Sequence, residues 1–320
     1  MRIYAELVLR SQGSILTKGM PTPTFSIFAE KVKKMHKPSV KRLIVTADDF
    51  GLTKGINQGI FEAFSKGIVT NTTLIVNGRA YDHALDLAKT NPGLPLGIHL
   101  TLMEERAVLT NKEIPTLVQK DSFLPRNYRQ LMLNLFSKKI RLPEIEAEFK
   151  AQIDKFLASG IKPTHIDSHQ HIHMLPSIFN IVVKLAREYG VKNIRFPYEK
   201  RVVHKGYILS THNLNRAILK YICSKAKQKI KQNGIITTDY YYGFLRSGAL
   251  SVKALKEILL ALDYGTTELN CHPGYIDQEC VKYYSHWNYH WEEELKALTN
   301  DEIKGLITKD NIQLISYKDR

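Results

Sequence analysis

The chain has 320 residues, with 46 lysines and arginines against 31 acidic residues and a formal net charge of +15 at pH 7. Hydrophobic residues make up 43% and charged residues 24%, which excludes a disordered, collagen-like or low-complexity protein. No apolar run approaches the roughly 20 residues that span a bilayer, and three cysteines without a CxxC pair exclude a disulfide scaffold. Because no apolar signal segment opens the sequence, we expect a cytoplasmic protein.

The positive charge is concentrated in two segments. Residues 1–42 hold nine basic and two acidic residues, and residues 200–238 hold nine basic residues and no acid. We interpret residues 1–40, which show weak periodicity, as a basic N-terminal extension of unknown role. The rest of the chain is close to neutral, whereas a nucleic-acid binder usually spreads lysine and arginine along the face that meets the phosphates. We therefore expect no nucleic-acid partner.

After the extension, short apolar runs alternate with stretches of helical periodicity, a pattern typical of strand-helix units around a parallel sheet. The predicted strands cover residues 42–46, 71–76, 96–102, 163–167, 193–196, 235–240, 267–271 and 312–317. The predicted helices cover residues 56–65, 83–89, 144–158, 177–189, 252–263 and 292–306. This number of strands favours a barrel over an open sheet, and we expect an α/β fold in which residues 41–320 form one TIM-like (β/α) barrel of seven to eight strands.

Two long stretches, near residues 103–143 and 197–234, interrupt the alternation and are expected to cover the active site or bind substrate. Within the second, residues 214–231 alternate apolar and basic side chains at the spacing of an amphipathic helix. One interpretation is a helix docked on the core with a solvated basic face. The other is contact with an anionic membrane surface, where basic amphipathic helices also lie.

Polar side chains gather where the predicted strands end, which is where barrel enzymes place their active sites. They are Asp48, Asp49, His99, His165, Asp167, His169, His171, His173, Arg195 and His272. Carboxylates and neutral imidazoles that share a pocket are suitable ligands for a divalent cation. Each residue alone has an ordinary explanation as a turn, a cap or a buried hydrogen-bonded side chain. Their joint recurrence at strand ends predicts a metal-dependent hydrolase of unspecified reaction.

Four segments resemble the YdjC-like carbohydrate deacetylases, a family that includes chitooligosaccharide deacetylases and hopanoid-biosynthesis-associated deacetylases. They are residues 46–52 (TADDFGL), 97–100 (GIHL), 164–173 (THIDSHQHIH) and 271–274 (CHPG). The similarity runs in order from about residue 41 to residue 317. It implies a distorted barrel related to the polysaccharide deacetylases and a metal-dependent removal of N-acetyl groups from a sugar, oligosaccharide or glycoconjugate.

The resemblance also implies roles for individual residues. Asp48 is implied as the general base, and His272 as the acid that protonates the departing amine. Arg195 is implied to hold Asp48 ionised and oriented. One divalent metal ion, with Mg or Zn expected, is implied to bind to Asp49, His99 and His169.

Aromatic residues such as Tyr242 and Trp287 are expected to stack on sugar rings of the substrate. Two other functions stay open at this point. One is a metal-dependent barrel hydrolase of another bond, such as a phosphate ester, and the other is a non-catalytic carbohydrate-binding relative. The sequence also leaves the oligomeric state open, with a homodimer as one option.

Overall fold

Seven parallel strands form one curved sheet in residues 40–199 and 211–320, the part of the chain that the computed structural model describes. The predicted extension lies outside this part, apart from Val40. The strands are β1 (Lys41–Phe50), β2 (Asn71–Leu74), β3 (Leu96–Leu100), β4 (Ile166–Ser168), β5 (Tyr240–Tyr242), β6 (Gly265–Cys271) and β7 (Ile312–Leu314). Their order across the sheet is β4, β3, β2, β1, β6, β5, and β7 pairs with the first three residues of β1.

The two ends of this row of strands are joined by a short extended segment. Ile194 forms a parallel bridge with Ile166 of β4, and Asn193 forms one with Ile236, just before β5. Further along, Glu199 bridges to Tyr241 of β5. These isolated bridges close the sheet, which confirms the predicted distorted α/β barrel.

Helices follow most of the strands and cover the outside of the sheet. In the described residues they are α1 (Lys54–Ser65), α2 (Tyr81–Thr90), α3 (Tyr128–Phe136), α4 (Leu142–Leu157), α5 (Pro176–Glu188), α6 (Thr211–Gln232), α7 (Val252–Leu260), α8 (Trp291–Thr299) and α9 (Asp301–Lys309). Shorter helical turns lie at Lys120–Ser122, His169–Met174, Phe244–Arg246, Cys280–Tyr284, Ser285–Trp287 and Tyr317–Asp319. None of these described helices combines the length and the apolar character that crossing a bilayer requires.

Most strand residues are buried, as expected where both faces of a parallel sheet are covered. In β1, eight consecutive residues from Leu43 to Phe50 are buried. The following helix begins at a defined cap, where the Thr53 side chain accepts a hydrogen bond from the backbone N–H of Ile56 at 3.2 Å. The short link between β1 and α1 therefore leaves the carboxyl end of the strand open for polar side chains.

Three predicted elements differ most from the structure. Residues 193–196 form bridges but no regular strand, and the strand predicted at 235–240 lies instead at Tyr240–Tyr242. The helix predicted over 292–306 is two helices that meet at Asn300. The backbone of Asn300 is extended, and its side chain accepts hydrogen bonds from the N–H groups of Glu302 and Ile303 at 2.9 and 3.3 Å, which begins a new helix.

Candidate active site

A cavity of about 950 Å³ opens at the carboxyl ends of the strands. Its wall contains five of the residues predicted to bind metal or to act in catalysis, which come from β1, β3, the turn after β4 and the end of β6. They are Asp48, Asp49, His99, His169 and His272. All five are at least nine-tenths buried, so their charges act on one another with little screening by water.

An irregularity in β1 brings two consecutive aspartates into this cavity. Successive side chains of a regular strand point to opposite faces of the sheet. Between Ala47 and Phe50 the register of β1 against β2 shifts, and Asp49 adopts a left-handed backbone with φ of 71°. This bulge allows both Asp48 and Asp49 to line the cavity.

Asp49, His99 and His169 form a compact group of possible metal ligands. One ligand atom from each lies within 4.8 Å of the others. Asp49 Oδ1 is 3.6 Å from His99 Nε2 and 3.3 Å from His169 Nδ1. Both carboxylate oxygens of Asp49 are buried and have no hydrogen-bond partner among the described residues. One carboxylate and two imidazoles around such orphaned oxygens fit a divalent cation.

Further polar groups orient the two histidines. His99 Nδ1–H donates to Asp167 Oδ1 at 2.8 Å, which leaves His99 Nε2 to face Asp49. On the other side, His169 Nε2 lies 3.3 Å from Glu104 Oε2, which leaves Nδ1 to face Asp49. The His169 ring also stacks on Trp287 with ring centroids 4.9 Å apart. Carboxylates behind ligand histidines set the ring tautomer and orientation in many metal sites.

The electrostatics of the group favour positive charge at its centre. Burial raises the pKa of Asp49, but contact with His169 and the charges of His169 and His99 outweigh burial and lower that pKa to about 2. Burial lowers the pKa of His169, but contacts with Asp49 and Glu104 outweigh it and raise that pKa to about 10. The carboxylates thus stabilise a positive charge on His169, and they would stabilise a bound divalent cation in the same way.

Arg195 lies fully buried beneath the site and pairs with three carboxylates. Its two terminal nitrogens donate to Asp48 Oδ2 and Oδ1 at 2.6 and 2.7 Å, a two-point contact that orients the carboxylate. The terminal nitrogen Nη1 is also 2.8 Å from Asp167 Oδ2, and Nε donates to Glu268 Oε1 at 2.8 Å. Despite the desolvation of Asp167, the Arg195 and His99 charges hold its pKa well below the usual value.

His272 lies in the cavity wall, directly after β6. Its backbone N–H donates to Glu294 Oε2 at 2.5 Å, and its Nδ1 is 3.9 Å from the same oxygen. The ring contacts Tyr289 with centroids 4.7 Å apart. Burial raises the pKa of Glu294, whose other oxygen accepts from the backbone N–H of Leu250. Glu294 and Tyr289 therefore hold this histidine in place at the cavity.

The remaining predicted residues divide between the cavity and the core. Trp287 lines the cavity, as expected for a residue that stacks on substrate. Tyr242 does not reach it, because its ring is buried in the core with the hydroxyl directed towards Ala261 O. His165 stacks on Tyr317 with ring centroids 4.0 Å apart.

The tract of residues 165–173 contains two further histidines, and these also have contacts outside the ligand group. His173 interacts with the Ser168 hydroxyl and with Arg195 O. His171 lines the cavity and lies 3.1 Å from the Tyr241 hydroxyl. Of the four histidines in this tract, only His169 therefore belongs to the candidate ligand group.

Sequence reasoning missed two carboxylates that support the site. Glu104 comes shortly after β3, much as Asp48 and Asp49 lie near the end of β1. This position after a strand is a sequence signal from which Glu104 could have been predicted. Glu294 lies in α8, where an acidic residue is ordinarily expected on a solvated face. Only the packing of α8 against the end of β6 shows that Glu294 is fully buried behind His272.

Comparison with known proteins gives consistent results. The family model of the YdjC-like proteins matches residues 42–309. Proteins named carbohydrate deacetylase from Clostridium beijerinckii and Brevibacillus brevis are each 36% identical to the chain and are matched over 99% of their own length and 87% of this chain.

A solved structure agrees with this result. The crystal structure of a proposed cellobiose-phosphate cleavage protein from Enterococcus faecalis V583 superimposes with a TM-score of 0.67 at 29% identity. The match covers 88% of this chain and 99% of that one. With the family model matched over most of its length, the chain belongs to the YdjC-like proteins.

Proposed function

We propose that the protein is a metal-dependent carbohydrate deacetylase that hydrolyses an N-acetyl group on a sugar. The observation that carries this proposal is the buried group of Asp49, His99 and His169 beside a second carboxylate, Asp48, which Arg195 holds in a fixed orientation. Relatives named carbohydrate deacetylase, matched over nearly their whole length, support the same reaction class.

Asp49, His99 and His169 would hold the ion, and Mg²⁺ and Zn²⁺ are the cations we expect. When bound, a divalent cation polarises the amide carbonyl and lowers the pKa of water towards neutrality. Asp167 and Glu104 keep the two imidazoles turned towards Asp49, so the ligand atoms stay aligned as substrate enters.

Asp48 acts as the general base that accepts a proton from the attacking water. Arg195 restricts the rotation of Asp48, because both carboxylate oxygens contact the same guanidinium. Asn270 lies in the cavity wall, and its Nδ2 donates a hydrogen bond to Asp48 Oδ2 at a distance of 3.4 Å. The carboxylate is thereby positioned before the substrate binds, which lowers the cost of reaching the transition state.

His272 acts as the general acid. The nitrogen of an amide leaves only when it is protonated, and an imidazole can deliver a proton near neutral pH. The buried carboxyl of Glu294 lies behind His272, and Tyr289 packs against the ring, so the imidazole points to a defined part of the cavity. Trp287 and Tyr289 supply aromatic faces on which a sugar ring can stack.

The cavity favours an acetamide over a phosphate ester. No lysine or arginine is among the described residues of its wall, and a site for a phosphoryl group usually presents such cations. Arg195 does not supply a cation for a phosphoryl group, because its guanidinium is fully buried and is paired with three carboxylates.

The test is acetate release from a panel of N-acetylglucosamine mono- and oligosaccharides by the purified full-length protein. We expect release that a chelator abolishes and that Mg²⁺ or Zn²⁺ restores. Cellobiose phosphate and p-nitrophenyl phosphate serve as comparison substrates. Phosphate release without acetate release would contradict the proposal and favour the phosphate-ester hydrolase. Failure to turn over any substrate after metal is restored would favour a non-catalytic binding protein.

A further inference from the structure

We propose that the natural substrate is an amphipathic glycoconjugate, whose acetylated sugar reaches the catalytic side chains and whose apolar aglycone lies on an apolar part of the same cavity wall. The inference rests on the proposed function and specifies its substrate class. It follows from the composition of the cavity, from its size and from the surface around it.

Much of the cavity wall is hydrocarbon and offers nothing for a sugar hydroxyl to bond. The apolar part of the wall is built by Met132 of α3, Leu175 before α5, Ile218 and Ile222 of α6, and Phe244. Met132 comes from the first predicted insertion, and Ile218 and Ile222 come from the second. All of these side chains share one continuous space with Asp49 and His272. An apolar ligand group placed there would remove this surface from water, which is favourable in proportion to the area buried.

The cavity is also large for a small sugar. Its volume of about 950 Å³ lies near the top of the range of about 300–1,000 Å³ that is typical of small-molecule sites. The catalytic residues occupy one part of this space, and a single acetylated sugar ring bound to them would leave the apolar wall facing water. A substrate with an attached apolar group fills both parts.

Large apolar side chains continue from the wall onto the surface. Ile218 and Tyr128 line the cavity and are nevertheless 50% and 39% exposed, so they mark its opening. On the same two helices, Tyr221 is 63% and Phe136 is 79% exposed. Exposed apolar side chains on neighbouring turns of helices that border a binding cavity are typical of contact with a ligand or a lipid surface.

The charge around this opening is suited to an anionic lipid surface. Helix α6 carries six basic residues and no acid, and residues 122–143, which include α3, carry five basic residues and no acid. Lys220, Lys225, Lys227 and Lys231 are exposed. Each basic residue near an anionic membrane contributes attraction, so a lipid-linked sugar in such a membrane would be brought to the cavity. The aglycone to which we commit is therefore a lipid-like hydrocarbon group.

The experiment compares three substrates of the metal-loaded enzyme: the methyl and octyl β-glycosides of N-acetylglucosamine, and the N-acetylglucosamine disaccharide. We expect kcat/KM for the octyl glycoside to exceed that for the methyl glycoside by about tenfold or more, because the alkyl chain leaves water. The disaccharide is expected to gain less than the octyl glycoside. Equal values for methyl and octyl, or a larger gain with the disaccharide, would overturn the inference while leaving the deacetylase function intact.

A pair of variants tests whether the apolar wall is responsible for the preference for the octyl glycoside. Ile218→Asn changes a half-exposed side chain of the apolar wall, and Leu260→Asn changes an exposed leucine of α7 that is not in the wall. We expect Ile218→Asn to reduce the octyl-to-methyl ratio of kcat/KM by about fivefold, as expected when part of the apolar contact is lost. Leu260→Asn is expected to leave that ratio unchanged. The same ratio in Ile218→Asn as in the native enzyme would argue against this wall.

A binding measurement separates this inference from turnover. The chain has two tryptophans, of which Trp287 lines the cavity and Trp291 is buried. Octyl β-glucoside, which lacks the acetamide, is expected to change the emission of Trp287 saturably below its micelle concentration, whereas methyl β-glucoside at the same concentrations does not. No change with either compound would overturn the inference. Absence of deacetylation of every glycoside would instead reject the proposed function, and this substrate class with it.

Discussion

Arg195 determines how the charged residues of the site can coexist in a buried place. Its guanidinium contacts Asp48, Asp167 and Glu268, and Asp167 in turn orients the metal-ligand candidate His99. A carboxylate is costly to bury unless it is paired and hydrogen-bonded. One arginine therefore makes it possible for the proposed base and the support of a proposed ligand to lie side by side in the same interior.

Substitutions of the two adjacent aspartates are expected to have different effects on turnover and on metal content. Asp48→Asn removes the proposed base and should lower kcat by about a hundredfold or more, while the bound metal stays near the native level. Asp49→Asn removes a proposed ligand and should reduce the metal content itself. Acetate release and elemental analysis of both variants check this. Normal turnover in Asp48→Asn would contradict its role as the base.

Removal of the buried guanidinium should destabilise the protein strongly. Arg195→Met leaves three carboxylates without their shared partner, and breaking a buried ion pair costs about 3–5 kcal/mol. Urea unfolding at neutral pH measures the change in the free energy of unfolding. The matched control is Arg187→Met at an exposed position that contacts Asn233, for which a change within about 0.5 kcal/mol is expected. Similar losses in both variants would show that the buried network is not a main source of stability.

Among the secondary-structure elements, β1 has the largest part in the site. Its bulge allows two successive aspartates to line the cavity, and its first residues pair with both β6 and β7. Close packing is also found at β3. Gly97 of β3 lies against the ring of His165, and an added Cβ at this glycine would lie 2.2 Å from His165 Cε1.

This close approach gives a prediction for β3. Gly97→Ala forces the His165 ring or the strand to move, and overpacking of this kind costs about 1–3 kcal/mol. Gly305 in α9 is the matched control, since an added Cβ there meets nothing within 4 Å. Gly305→Ala should stabilise the protein by up to about 1 kcal/mol because alanine is the better helix former. Thermal or urea unfolding of the two variants should therefore give shifts of opposite sign.

On the scale of the whole molecule, charge is distributed unevenly. The formal net charge of +15 comes largely from the segments 1–42 and 200–238. The buried carboxylates of the site lie in the remainder, which is close to neutral, whereas α6 contributes Ile218 and Ile222 to the cavity wall. A chain with two strongly basic segments is suited to anionic partners at low ionic strength, and screening weakens such contacts as salt rises.

Flotation with vesicles tests the expected contact of α6 with an anionic membrane. The protein should float with vesicles that contain phosphatidylserine at low salt and should be released at high salt, whereas vesicles of phosphatidylcholine alone should not bind it. Replacement of Lys220, Lys225, Lys227 and Lys231 by glutamine should weaken binding. The charge-matched control replaces four exposed lysines elsewhere: Lys89, Lys253, Lys296 and Lys309. Equal loss in both variants would indicate that net charge and not α6 is responsible.

The sequence alone was enough to predict the barrel and to bring five polar residues together at one end of it. Apolar runs and helical periodicity follow directly from burial, and the carboxyl ends of parallel strands meet on one side of a barrel. The polar residues Asp48, Asp49, His99, His169 and His272 could therefore be assigned to one place. The family motifs then suggested their chemical roles.

The tertiary structure alone decided which of the nearby side chains support the site and which do not. Glu294 lies behind His272, and Tyr242 is turned into the core, because of how helices and strands pack over distances that no local pattern records. The strand of residues 193–196 was reduced to isolated bridges for the same reason. The apolar wall next to the catalytic group likewise exists only because two segments far apart in the chain fold over one cavity.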